Sequence, residues 1–170
     1  MIEDGPLLIC FDGSEEATAA VTAAAALFES REAVVACYWQ PFGSTKRLGV
    51  DVLEFVQDPA TINEREEQVA REIAEQGAAL ATAGGLSARA EAVATDSSVG
   101  EAILNHAQAI GAAAIVLGAQ SRSRLRSLIL GNAANETVQR AAFPVFVAPS
   151  PALADRRRAE MATGGPDEAN

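Results

Sequence analysis

Five short apolar runs, separated by stretches long enough for a helix, constrain this chain more than any other feature. They are Leu7-Leu8-Ile9-Cys10-Phe11, Ala33 to Trp39, Leu86 to Ala94, Ala112 to Leu117 and Val145 to Ala148. A short continuous apolar run reads as a strand buried on both faces, and Leu86 to Ala94 alternates enough to serve as a third strand. Ser14 caps the first intervening helix, an alanine-rich stretch from about Ala17 to Ser30, with Glu15 and Glu16 placed favourably at its positive end. From Phe42 to about Pro59 the pattern is that of a long loop. Thr61 to Ala83 then forms an amphipathic helix, stopped by Gly84-Gly85. Ser98-Val99-Gly100-Glu101 is a capping box that starts a third helix, and a fourth runs from Gly131 to near Ala142.

Strand and helix therefore alternate throughout, and right-handed crossovers make that order a parallel, doubly wound α/β sheet. Aromatic residues are only 5% of a chain that is 49% hydrophobic, so Ala, Val, Leu and Ile must fill the core. After Pro149 come Pro151, the arginines Arg156, Arg157 and Arg158, and Gly164-Gly165-Pro166; this tail reads as disordered.

The formal net charge of -10 disfavours nucleic acid and anionic lipid surfaces as partners, although it leaves room for one small anion where the local field allows. Cys10 and Cys37 each lie inside an apolar run and read as buried, reduced thiols. The start of the chain, Met1 to Pro6, carries Glu3 and Asp4 where a leader would be basic, and no apolar run reaches spanning length. The expectation is a cytoplasmic protein without a membrane segment.

In open α/β sheets ligands bind beyond the carboxyl ends of the strands, where the strand order reverses. Two strand ends stand out. The first is followed by Asp12-Gly13-Ser14. The fourth is followed by Gly118, a loop holding Arg122, Arg124 and Arg126 without an acid, and Gly131-Asn132 opening a helix. Glycine before a helix lets a phosphate approach the backbone, and free amides at the helix start bind anions. A solvated loop whose arginines face water accounts for the same composition. There is no Gly-Lys-Ser/Thr ending of a P-loop, and no Gly-x-Gly-x-x-Gly after the first strand.

These residues resemble the universal stress protein family. The matching segments are Ile9-Cys10-Phe11-Asp12-Gly13-Ser14, Ile115-Val116-Leu117-Gly118, Leu128-Ile129-Leu130-Gly131 and Phe143-Pro144-Val145-Phe146-Val147. The resemblance implies a five-stranded sheet of order 3-2-1-4-5 with the adenine nucleotide alpha hydrolase-like fold. It runs from about Leu7 to Pro149, within a domain of residues 1–150, with 151–170 as the tail. Nucleotide-binding members carry Gly-x-x-Gly-x9-Gly-Ser/Thr. Here Gly118 and Gly131 match at that spacing, Ser121 stands at the second glycine, and Asn132 replaces the Ser/Thr.

By that resemblance Asp12 would bond the adenosine moiety, and Tyr38 would border adenine through its backbone. Leu117, Gly118 and Gln120 would line the ribose, while Ser121, Arg122, Gly131, Asn132 and Ala133 would face the phosphates. The implied ligand is ATP or another adenine nucleotide, with or without Mg. The implied role is stress-response regulation with at most slow ATP hydrolysis. The departures at Ser121 and Asn132 keep open a member that binds no ATP and acts as an interaction module. A homodimer through the fifth strand (Val145, Phe146, Val147) is implied in either case. His106, the only histidine, reads as a helix-surface residue.

Overall fold

The computed structural model describes residues 4–28, 30–42, 59–119 and 132–162. Strands and helices alternate: β1 (Leu7–Cys10), α1 (Glu15–Leu27), β2 (Glu32–Trp39), α2 (Pro59–Ala83), β3 (Ser87–Ala94), α3 (Val99–Ala109), β4 (Ala114–Ala119), α4 (Asn132–Arg140), β5 (Val145–Pro149) and α5 (Pro151–Ala162). The sheet order is β3-β2-β1-β4-β5, and every neighbouring pair is parallel. The expected architecture is the observed one. Most of the expected loop after Phe42 and all of the loop from Gln120 to Leu130 lie outside the described residues.

Successive side chains of a strand point to opposite faces, so each strand feeds two cores. Leu7, Ile9, Phe11, Val35 and Val116 meet α1 and α2 on one face. Leu8, Val34, Ala36, Ile115 and Leu117 meet α3 and α4 on the other. Burying an aliphatic side chain of this size contributes about 1.5–3 kcal/mol. Cys10 belongs to the second face and Cys37 to the first, where it packs against Ala70 and Ala74 of α2. The two thiols therefore project away from each other through the thickness of the sheet.

Helix α1 shows how a nearly all-alanine segment is held. Its buried residues are Ala17, Ala20, Val21, Ala24 and Ala25, a helical stripe of small side chains that lets the axis approach the sheet. The start is fixed by Ser14, whose hydroxyl accepts from the Ala17 amide at 3.1 Å. Gly13 provides the turn before it with φ of 80°.

The carboxyl end of the chain departs from expectation. Where a disordered tail was expected, residues 151–162 form α5, while residues 163–170 lie outside the described set. Ser150 caps the helix: its hydroxyl accepts from the Leu153 amide at 3.4 Å, and its carbonyl accepts from the Ala154 amide at 2.9 Å. Pro151 has no amide to leave unpaired in the first turn. Leu153 is buried, and Arg158 pairs with Asp155 one turn away. The composition that suggested disorder is that of a helix with one anchoring side chain.

Candidate functional site

The carboxyl ends of β1 and β4 lie side by side, with Ile9 paired to Val116 at the last register position. After β1 the chain turns at Asp12, whose Oδ1 accepts from the Ser14 amide at 3.0 Å. Asp12 is exposed, and its charge reaches back to both thiols. Burial, followed by the Asp12 charge, pushes the Cys37 thiol up to about 11. Burial raises Cys10 further still, beyond the usual thiol range.

Gly118 is inside β4, not in the loop after it. A Cβ built there would lie 2.6 Å from the carbonyl carbon and oxygen of Glu16 and 2.8 Å from the Ala17 nitrogen. The glycine is required by the close approach of the α1 start to the sheet. That requirement exists whether or not a ligand uses the same opening.

Tyr38, at the end of β2, sits one strand beyond β1, and its ring packs against the cluster that contains Leu117. Ala133, in the first turn of α4, packs against the same cluster, while Asn132 before it is exposed. The described candidates thus form two groups joined at Leu117-Gly118. Asp12 and Gly118 border the start of α1; Tyr38, Leu117 and Ala133 share the face covered by α3 and α4. Gln120, Ser121, Arg122 and Gly131 lie outside the described residues.

The residues present fit an adenine nucleotide in a limited sense. An exposed carboxylate ends β1, and the first amides of a helix lack intrahelical partners. One Asp12 oxygen is already engaged by Ser14, leaving the other for a ligand hydroxyl or amine.

Sequence reasoning overlooked a polar constellation beside this end of the sheet. His106 is not on the helix surface; its side chain is only 9% exposed. Its Nδ1 lies 3.0 Å from the Tyr38 hydroxyl and its Nε2 lies 2.9 Å from Glu91 Oε2. Arg89 pairs with the same carboxylate. Burial, then the nearby Arg89 guanidinium, lowers the His106 pKa below the ordinary 6.5. Burial also drives the Tyr38 phenol above its usual range. The neutral imidazole is therefore the favoured form in the fold.

Two depressions border described residues. One, of 560 Å³, runs along β3 and α3 past Glu91, Asp96, Ser97, Asn105 and His106. The other, of 220 Å³, lies between Pro6, Glu32 and Arg89, toward the opposite ends of the strands. Neither of these two borders the β1/β4 ends. Trp39 has its indole nitrogen buried without a hydrogen-bond partner, although the ring packs with Cys37, Ala70 and Ala74.

No helix among the described residues is long and apolar enough to cross a membrane. No curated protein matches the chain at the sequence level. Solved structures do match. A universal stress protein from Archaeoglobus fulgidus aligns with a TM-score of 0.65 at 22% identity, covering 85% of this chain and 98% of that one. A universal stress protein from the same organism in complex with dAMP aligns at 0.58 and 17% identity, covering 87% and 99%. A universal stress protein in complex with cAMP aligns at 0.57 and 15%, covering 86% and 97%. These likenesses show a shared fold. The profile described as "Universal stress protein family" matches residues 5–149, from before β1 to the last residue of β5, and the chain accordingly belongs to that family.

Proposed function

We propose that this chain is a stress-response regulatory protein that binds ATP or a related adenine nucleotide at the β1/β4 switch point, with slow or no hydrolysis. The reading is carried by one observation, the adjacency of β1 and β4, which brings the Asp12 turn beside the Gly118 strand end. Two similar structures hold dAMP and cAMP, which supports an adenine-nucleotide ligand class. Asp12 offers an acceptor for the adenosine moiety, Tyr38 borders the base, and Leu117, Gly118 and Gln120 line the ribose. Ser121, Arg122, Gly131, Asn132 and Ala133 take the phosphates, with Mg as a companion ion where the phosphates require one.

The test begins with freshly purified protein, denatured to release and identify any retained nucleotide. A melting scan complements it, because ligand at a hundred times Kd adds about 2.7 kcal/mol. Asp12→Ala and Gly131→Val are expected to weaken ATP binding while the fold persists. Identical titration curves for both variants and the parent would remove the site.

A second reading, an interaction module of the same fold that binds no ATP, is favoured by a specific observation. The packing of α1 already accounts for Gly118, so that glycine needs no phosphate to explain it. In both readings the cytoplasmic protein pairs through β5. That strand is a sheet edge on which Phe146 is 40% exposed and meets the Phe28 ring edge to face at 4.8 Å. Light scattering at high concentration checks this, and a monomeric mass would rule it out.

A further inference from the structure

The chain contains one histidine and one tyrosine, and they are hydrogen-bonded to each other. The partners of His106 stand on neighbouring strands, since Ala36 pairs with Glu91 and Tyr38 with Val93. The imidazole thus reaches from α3 to β2 and β3 at once. Its ring meets Tyr38 edge to face, with centroids 6.0 Å apart and planes at 75°. Both ring nitrogens are satisfied by partners from different elements. Disturbing one bond leaves a largely buried polar atom unpaired, which is costly.

We propose that Glu91, His106 and Tyr38 form a proton-controlled tie that positions the carboxyl end of β2, and that protonating His106 weakens nucleotide binding there. The functional half rests on the nucleotide reading above, in which Tyr38 borders the base. His106 and Glu91 are positioning residues in this arrangement.

The chemistry follows from the donor and acceptor inventory. An ionised carboxylate only accepts, so Glu91 fixes the proton of a neutral imidazole on Nε2. Nδ1 is then an acceptor, and the Tyr38 hydroxyl donates to it. A second proton, on Nδ1, turns that acceptor into a donor. The Tyr38 hydroxyl must then accept and swing its own hydrogen elsewhere. The other group that interacts with this hydroxyl is the Cys10 thiol, a weak acceptor. The His106–Tyr38 bond persists with its direction reversed, but the phenol hydrogen that the neutral imidazole had held is left in a largely buried place with only a poor acceptor.

The ionisable groups facing His106 are Glu91 and Arg89 from β3 and Tyr38 from β2, with Cys10 of β1 behind Tyr38. Asp96 borders the same depression, through which solvent protons reach the ring. Glu136 of α4 meets α3 at its opposite end, near Ser98 and Gly100. Glu91 favours the imidazolium, but it shares its carboxylate with Arg89. Burial and Arg89 then favour the neutral ring.

Because the histidine is unique, imidazole nitrogen NMR on the full chain reads the tie directly. The expected result is the Nε2-protonated tautomer at neutral pH, titrating below a free imidazole. Glu91→Gln should lower that titration further and Arg89→Gln should raise it. Tyr38→Phe should move the Nδ1 resonance toward that of an unbonded nitrogen. An imidazole that titrates like a free one and ignores all three substitutions would overturn the tie.

The functional half is read by calorimetric ATP titrations on either side of the imidazole transition. Wild type should bind about fivefold more weakly on the acid side, and His106→Gln should lose that step. Glu91→Gln supplies the same comparison, by displacing the step to lower pH, if the His106 variant does not fold. An equal, undisplaced step in wild type and variant overturns the coupling while the NMR result still decides the tie. A wild type that binds no ATP at any pH removes the nucleotide reading and the coupling together, and the tie again stands or falls on NMR.

Discussion

The two faces of the sheet are built on different principles. The α1/α2 face is filled by alanines (Ala17, Ala20, Ala24, Ala25, Ala74, Ala78, Ala81) pressed against Leu7, Ile9, Phe11 and Val35. Gly77 and Gly118 bring helix and strand closer than any side chain permits. On the α3/α4 face the helices bring Ile103 as well as Ala107 and Ala134 against Leu8, Ile115 and Leu117, and His106 of α3 is joined to Tyr38 and Glu91. The same strands supply both faces through alternate residues. One face is specified by volume alone; the other by volume and by a proton.

That contrast predicts different weaknesses. The largest loss is expected on the α3/α4 face for truncation: Ile103→Ala should cost about 2–5 kcal/mol in urea unfolding. Next, on the α1/α2 face, enlargement should do the damage. Gly77→Ala places a Cβ 2.7 Å from the Phe11 ring and 2.8 Å from Val35 Cγ1, while Gly118→Ala meets backbone that cannot rotate away. Each should cost about 1–3 kcal/mol, the second more than the first. Near-wild-type stability for both would mean the helices sit looser than described.

Smaller still is Tyr38→Phe, expected to cost about 1 kcal/mol through the lost hydrogen bond. Its effect should not vanish in acid, where the protonated imidazole donates to the hydroxyl and the substitution leaves that donor unpaired. The last prediction concerns pH. His106 has a lowered pKa in the fold, so the unfolded chain takes up its proton first. Its contribution is fully present above the ordinary value of 6.5 and is lost as pH falls from there toward the folded value. Subtracting the stability curve of His106→Gln from that of wild type isolates this slope from the carboxylates. A flat difference would place the proton outside the α3/α4 face's design.

Much of this was legible before any coordinates. Strands such as Leu7-Leu8-Ile9-Cys10 announce themselves because a two-sided burial leaves no polar position, and Ser14 and Ser98 announce their helices by capping chemistry. The boundaries that moved did so for local reasons. Gly118 looked like the start of a loop, yet it continues β4 because the α1 backbone needs the space of its missing side chain. Helix α5 is masked in the sequence by three arginines, although Ser150 and Pro151 have the chemistry of a helix start. The His106 tie was not readable from one segment. Its tyrosine lies 68 positions away, and a histidine on a helix gives no hint of which strand it will meet. The Asp12 and Gly118 ends could be brought together on paper because the family resemblance implies the strand order that the sheet has. No comparable rule orients a lone side chain.

The opposed placement of the two cysteines has a consequence for a chain of this family. It is the thiolate that attacks peroxide, and a sulfur whose proton is held until about pH 11 offers almost none at neutral pH. Even a sulfenic acid formed at one sulfur could not be resolved by the other, because a whole layer of strands stands between them. An oxidant that disables exposed thiols elsewhere in a cell finds here neither a trigger nor a latch.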